Sequence, residues 1–148
     1  MIYTIGEMAK KMNIAPSALR YYDKEGLMPF VERSESGIRI FTENDFEGLS
    51  IIHCLKQAGL PIKDIKKFID MVAKGDETID ERLELFRSKR EDVKRQIQEL
   101  QKTLQVLEYK CWYYETSKQA GTTSYIENMK LDDMPAEYAK TREHLNSL

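Results

Sequence analysis

Between residues 79 and 117 the apolar side chains keep to one narrow line. Leu83, Phe86, Val93, Ile97, Leu100, Leu104, Leu107, Cys111 and Tyr114 follow one another at spacings of 3, 7, 4, 3, 4, 3, 4 and 3. This is a heptad seam, broken only where Arg90 takes a core position. Up to the aromatic end of the stretch, nearly everything between these residues is charged, Gln, Ser or Thr. The pattern predicts one helix over 79–117, about 60 Å long at ~1.5 Å per residue. So narrow a seam cannot be buried by its own helix. It requires a second helix, and the simplest source is another copy of the chain, with Phe86, Val93, Ile97, Leu100, Leu104, Leu107 and Cys111 as the dimerisation residues.

With 148 residues, the chain has room for one domain and an appendage. Its 32% of charged residues suits a long solvated helix better than a large globule. Residues 1–75 carry 11 Lys and Arg against 10 Asp and Glu, a net of +1, so bulk charge does not announce nucleic acid. Any such reading must rest on where the cations point. Two cysteines, Cys54 and Cys111, are too few for a disulfide framework, and no stretch reads as a signal peptide or membrane span. The expectation is a cytoplasmic protein with free thiols and no membrane partner.

The organising element of the first half is a short helix written between Pro16 and Gly26. Proline suits the first turn, where its missing N–H would be unpaired anyway, and glycine suits the left-handed residue that ends a helix. On a 3.6-residue period Ala15, Ala18, Leu19 and Tyr22 form a core face. Ser17, Arg20, Tyr21 and Lys24 recur at i, i+3, i+4 and i+7 on the other, a row of donors for phosphates and base edges. Before it, Thr4 and Glu7 make a capping box for a helix whose stripe is Ile5, Met8, Ala9 and Met12. Two short amphipathic helices across so tight a connection read as a helix-turn-helix.

Phe30–Arg33 and Ile38–Phe41 flank Ser34-Glu35-Ser36-Gly37, a hairpin pattern with Gly37 placed for positive φ. Alternation sends Ile38 and Ile40 to one side and Arg39 to the other, as a wing reaching for DNA backbone requires. A third helix starts at Thr42 with Glu43 and Asp45 near its positive end and ends at Gly59. A fourth runs from Pro61 to about Gly75, with Lys63, Lys66 and Lys67 at its start, a second candidate surface for phosphate. Thr78 and Glu81 read as a capping box for the long helix. After the Gly/Ser/Thr-rich break at 117–124, residues 125–148 have room for one short helix after Pro135.

Read in this order, the chain resembles the MerR family of bacterial transcription regulators. The matching words are Tyr3-Thr4-Ile5-Gly6-Glu7-Met8-Ala9, Leu19-Arg20-Tyr21-Tyr22-Asp23-Lys24-Glu25-Gly26-Leu27, Gly37-Ile38-Arg39-Ile40-Phe41 and Gly59-Leu60-Pro61-Ile62. The resemblance implies a mainly α protein. A winged helix-turn-helix DNA-binding domain (1–75) would be followed by a dimerisation helix (76–117) that pairs as an antiparallel coiled coil, and by a C-terminal tail (118–148). It implies a homodimer on double-stranded promoter DNA whose over-long spacer it distorts so that RNA polymerase can engage. Ser17, Arg20, Tyr21 and Lys24 would lie at the major groove and Arg39 on the backbone. Tyr22 belongs mainly to the core, with its hydroxyl within reach of a phosphate.

Metal sensing in this family uses paired cysteines near the end of the coil, and no second cysteine follows Cys111, so neither metal nor cofactor is expected. The stretch His53–Leu60, with Ser36–Arg39, is similar to the subgroup that senses aldehydes and other electrophiles through one cysteine, here Cys54. Two features oppose an activated thiolate: Cys54 lies near the negative end of its helix, and His53 faces elsewhere. Burial as a small apolar residue is the alternative for Cys54, and packing in the seam is the reading for Cys111. An effector held by Trp112, Tyr113, Tyr114 and Tyr125 is another source of signal. A coiled-coil adaptor without sensing would leave the donor face and the Arg39 hairpin unexplained. An enzyme using Cys54 as nucleophile lacks an oriented base.

Overall fold

The computed structural model describes all 148 residues and is mainly helical. In chain order its elements are β1 (Ile2–Tyr3), α1 (Ile5–Lys11), α2 (Pro16–Lys24), β2 (Phe41–Thr42), α3 (Glu43–Gln57), α4 (Ile62–Lys74), α5 (Ile79–Ala120), α6 (Ser124–Glu127) and α7 (Ala136–Asn146). Short 3-10 turns cover Asp76–Thr78 and Leu131–Asp133. Two compact units result, Met1–Arg90 and Glu91–Leu148.

In the first unit the capping box of α1 forms as written. The Thr4 hydroxyl accepts from the Glu7 amide, and the Glu7 carboxylate accepts from the Thr4 amide at 2.7 Å. Such a cap contributes about 1 kcal/mol, and its hydrogen bonds hold the Glu7 carboxyl below the usual range. Met8 and Ala9 enter a core with Leu19, Leu27, Phe41, Leu49, Ile52, Leu55 and Ile65. At the start of α3 the Asp45 carboxylate accepts from both the Thr42 amide and the Thr42 hydroxyl, at 2.7 and 2.8 Å. Glu43 at the same end binds Lys11 and the Tyr3 hydroxyl, which ties α1 and β1 to α3.

Three local expectations change. The hairpin is smaller than the β-formers suggest: its ladder is one bridge, Arg33 with Arg39, flanked by Ile40 N–H to Glu32 O (2.9 Å) and Ser34 N–H to Ile38 O (2.8 Å). Phe41 instead pairs with Tyr3, antiparallel, while Val31 on the other arm is buried in the core. Thr78 does not cap α5; its hydroxyl points back to the carbonyls of Met71 and Gly75 at the end of α4, where Arg82 also donates to Gly75 O (3.0 Å). In the same unit Leu85 packs against the core and Phe86 meets Phe68 edge to face at 5.4 Å.

In the second unit α5 runs to Ala120, three residues past the expected end, and stops where Gly121 takes φ +76°. The tail is ordered by a small core of Tyr109, Ile126 and Met134. Tyr138 of α7 stacks on Trp112 at 5.0 Å, and Arg142 donates to the carbonyls of Ile126, Met129 and Glu127. One arginine thereby satisfies the open carbonyls around the end of α6.

Candidate nucleic-acid interface

Helix α2 divides by its period except at its start: Ala15, expected on the core face, precedes the helix and is exposed, and Ala18 is half-buried. Leu19 and Tyr22 are buried, and Ser17, Arg20, Tyr21 and Lys24 are exposed together on the opposite face. Tyr21 is a large aromatic left 41% exposed on that face. The first turn of α2 carries no acidic residue and no side-chain cap, so its positive end is not neutralised from within the chain. At the other end Gly26 adopts φ +73°, which only glycine takes at little cost.

Tyr22 is held rather than presented. Its hydroxyl lies 2.7 Å from His53 Nδ1 on α3, and burial raises its pKa. The bond joins α2 to α3. Cys54 itself is exposed, so the alternative of core burial does not describe it within this chain. Cys111 is exposed as well, as is most of the seam to which it belongs, including Ile97, Leu100, Leu104 and Leu107.

The wing cations lie differently from what alternation suggested. Arg39 is turned inward with its side chain 14% exposed, donating from Nε and Nη2 to Asp23 Oδ1 at 2.9 and 2.7 Å and from Nη1 to the Val31 carbonyl. The physical reason is a counter-ion within reach, at the end of α2. Arg33 shares the same carboxylate through Nη2 and donates Nη1 to Gly37 O at 2.8 Å, but it remains 49% exposed. Hydrogen bonding from Arg39 holds the Asp23 carboxyl below the usual range, against the opposing effect of burial.

A cation from α4 completes the surface. A side chain placed on Gly26 would meet Lys66 Cε and Nζ at 3.9 Å, so the Lys66 ammonium sits beside the end of α2. Lys63 and Lys67 are exposed on the same helix, Lys67 pairing with Asp64 at 3.5 Å. At the aromatic end of α5, Trp112 packs with Tyr109 and Tyr138 and Tyr113 bonds Glu127 (3.3 Å), so these two of the four candidate effector rings meet the chain's own tail, whereas Tyr114 and Tyr125 are exposed.

This arrangement of two short helices, a wing and a long helix is matched by known proteins. Residues 3–72 match the MerR HTH family regulatory protein profile, and residues 46–109 match the MerR DNA-binding profile. An HTH-type transcriptional regulator of Haemophilus influenzae is 45% identical over 126 residues, covering 85% of this chain and 93% of its own. The chain belongs to the MerR family. Among solved structures, that of HiNmlR, a MerR family regulator lacking the sensor domain and bound to promoter DNA, is 44% identical with a TM-score of 0.81, covering 91% of this chain and all of its own. A MerR family regulator from Bacillus thuringiensis is 45% identical with a TM-score of 0.69, covering 75% and 97%. This MerR-family chain is therefore a DNA-binding transcriptional regulator with a winged helix-turn-helix and a long helix. None of its helices is long and apolar enough to cross a membrane.

Proposed function

We propose that this regulator binds promoter DNA as a homodimer, placing α2 of each copy in successive major grooves. The observation that carries this reading is the exposed row Ser17, Arg20, Tyr21 and Lys24, backed by the buried Leu19 and Tyr22. Arg20 and Ser17 are suited to base edges and Lys24 to phosphate. Lys66 and Arg33 extend the basic surface on either side. Arg39 meets the backbone only through the N–H groups that Asp23 and Val31 leave open. Tyr22 acts by holding the helix in place, its hydroxyl being taken by His53.

The dimer is supported by the seam of α5, where Leu100 is 68% exposed in the isolated chain. An antiparallel pairing of α5 would cover that seam and give the dimer the two-fold symmetry of a palindromic duplex site. In this proposal the dimer bends and untwists an over-long promoter spacer, with protein contacts offsetting the deformation energy, and RNA polymerase then engages both promoter elements. It acts without catalysis and without a cofactor. The signal is thiol stress read at Cys54, supported by the exposure of that thiol; its sulfur would add to an aldehyde carbonyl, the carbon–sulfur bond forming as the C=O π bond breaks and the thiol proton passing to the oxygen.

The test is selection of duplexes from a random-sequence pool by the full protein, followed by titration of Arg20→Ala. A two-fold symmetric site and a loss of about 1–3 kcal/mol per half-site on the variant are expected. Equal binding of Arg20→Ala and the parent protein would overturn the placement of α2. For the signal, in a Cys111→Ser background, alkylation by iodoacetamide that is lost on adding Cys54→Ser, and a change in transcription from the selected site when Cys54 is modified, are expected; modification of Cys54 without any change in transcription would remove it as the sensor.

A further inference from the structure

The helix offered to DNA ends in an acid. Asp23 occupies its last turn, where the negative end of the helix dipole disfavours an anion and where phosphates would be repelled. Its carboxylate is the meeting point of the wing: Arg39 donates to it twice, and Arg33 lies 3.1 and 3.2 Å from its two oxygens. These two arginines stand directly opposite each other as the bridge pair of the hairpin, a placement in which like charges repel. Each also holds a backbone carbonyl of the same segment, Arg39 that of Val31 and Arg33 that of Gly37. A hairpin with so short a ladder is not rigid by itself. One carboxylate thus relieves the cross-strand repulsion, shields its own charge and joins the wing to α2.

We propose that Asp23 is the positioning residue of the DNA-reading surface, its carboxylate locking the wing to the end of α2 through Arg39 and Arg33 so that helix and wing meet DNA as one unit. The proposal rests on the reading of α2 as the DNA-contacting helix. It makes a prediction opposite in sign to simple electrostatics. Removing an anion from a DNA-binding face should tighten binding to any duplex. Removing a positioning anion should weaken binding to the cognate duplex alone.

The experiment compares the full-length parent, Asp23→Asn, Arg39→Lys and Arg20→Ala by fluorescence anisotropy on the duplex selected by the parent and on a scrambled duplex of equal length. Asp23→Asn and Arg39→Lys are each expected to lose about tenfold or more on the selected duplex, the worth of one charge-assisted hydrogen bond. Binding to the scrambled duplex should be unchanged or tighter. Amide exchange at Ser34 and Ile40 should quicken in both variants while α3 stays protected. If Arg20→Ala loses affinity but Asp23→Asn binds the selected duplex as tightly as the parent or more tightly, Asp23 is only a surface anion and the proposal falls alone. If Arg20→Ala binds like the parent, the placement of α2 has failed instead. Should Asp23→Asn not fold, Arg39→Lys, which keeps the charge but cannot bridge both partners, decides by the same criterion.

Discussion

Replacing Lys66 by Ala tests whether α4 joins the DNA-binding surface. The Lys66 ammonium sits beside Gly26 at the end of α2, and no ion pair engages it, unlike that of Lys67, which Asp64 holds. A phosphate contact at this position releases counterions on binding, and a dimer would lose two such contacts in the variant. The slope of log K against log salt, about −0.9 per phosphate, should therefore become shallower by about 1.8. Referred to 1 M salt as the point where that contribution vanishes, the same two contacts are worth roughly 1.8 log units, or about 60-fold, at 0.1 M. The measurement is anisotropy on the selected duplex from 0.05 to 0.4 M KCl, with Lys118→Ala as a control on the far part of α5. Because the contact is with backbone, the scrambled duplex should show the same change in slope. A slope that stays at the parent value would refute the argument that α4 touches phosphate, whatever happened to the absolute affinity.

Leu100→Asp places a charge in the exposed seam of α5 and should convert a dimer into monomers by sedimentation at micromolar concentration; unchanged mass would mean that the seam is not the interface. Tyr22→Phe removes the hydroxyl bonded to His53 and should cost about 1 kcal/mol, a lowering of Tm by a few degrees, and an unchanged Tm would show the bond to be dispensable. The Asp23 carboxyl has a folded pKa below its unfolded value. Its contribution is therefore complete above the unfolded value and declines as pH falls through that value toward the lower folded one; acid titration of the parent against Asp23→Asn should show their stabilities converging at the acid end, and parallel curves would contradict the linkage.

Much of the fold was legible because its signals are local. Thr4 and Glu7 cap α1, Pro16 and Gly26 bound α2, and Pro135 precedes α7, each through backbone geometry that depends on few neighbours. The core face of α2 was legible for the same reason, since Leu19 and Tyr22 fall on one side of any helix that includes them. Pairing across distance was not. The partner of Phe41 is Tyr3, nearly forty residues earlier, and nothing in the β-formers of 30–41 points there. Thr78 carried the capping pattern, yet its hydroxyl donates to the carbonyls of Met71 and Gly75 at the end of α4.

The candidate site divides along the same line, and the division bears on how it works. Periodicity places Ser17, Arg20, Tyr21 and Lys24 on a shared face because a helix permits no other arrangement. For Arg39, alternation gives a side of the hairpin but not the nearest opposite charge, and it is Asp23, sixteen residues earlier, that turns the guanidinium inward. The residues whose direction the period dictates are those left exposed for a partner. The residue whose direction needed the fold is spent within the chain, on keeping the others in place. A surface that must enter a groove can carry an acid only if that acid is neutralised beforehand, and the two wing arginines do so at the cost of their own freedom. The more exposed wing cation is Arg33, half exposed beside the Gly37 turn and bonded to the same carboxylate, so substituting it should weaken binding to the scrambled duplex as well as to the selected one, whereas substituting Arg39 should weaken the selected one alone.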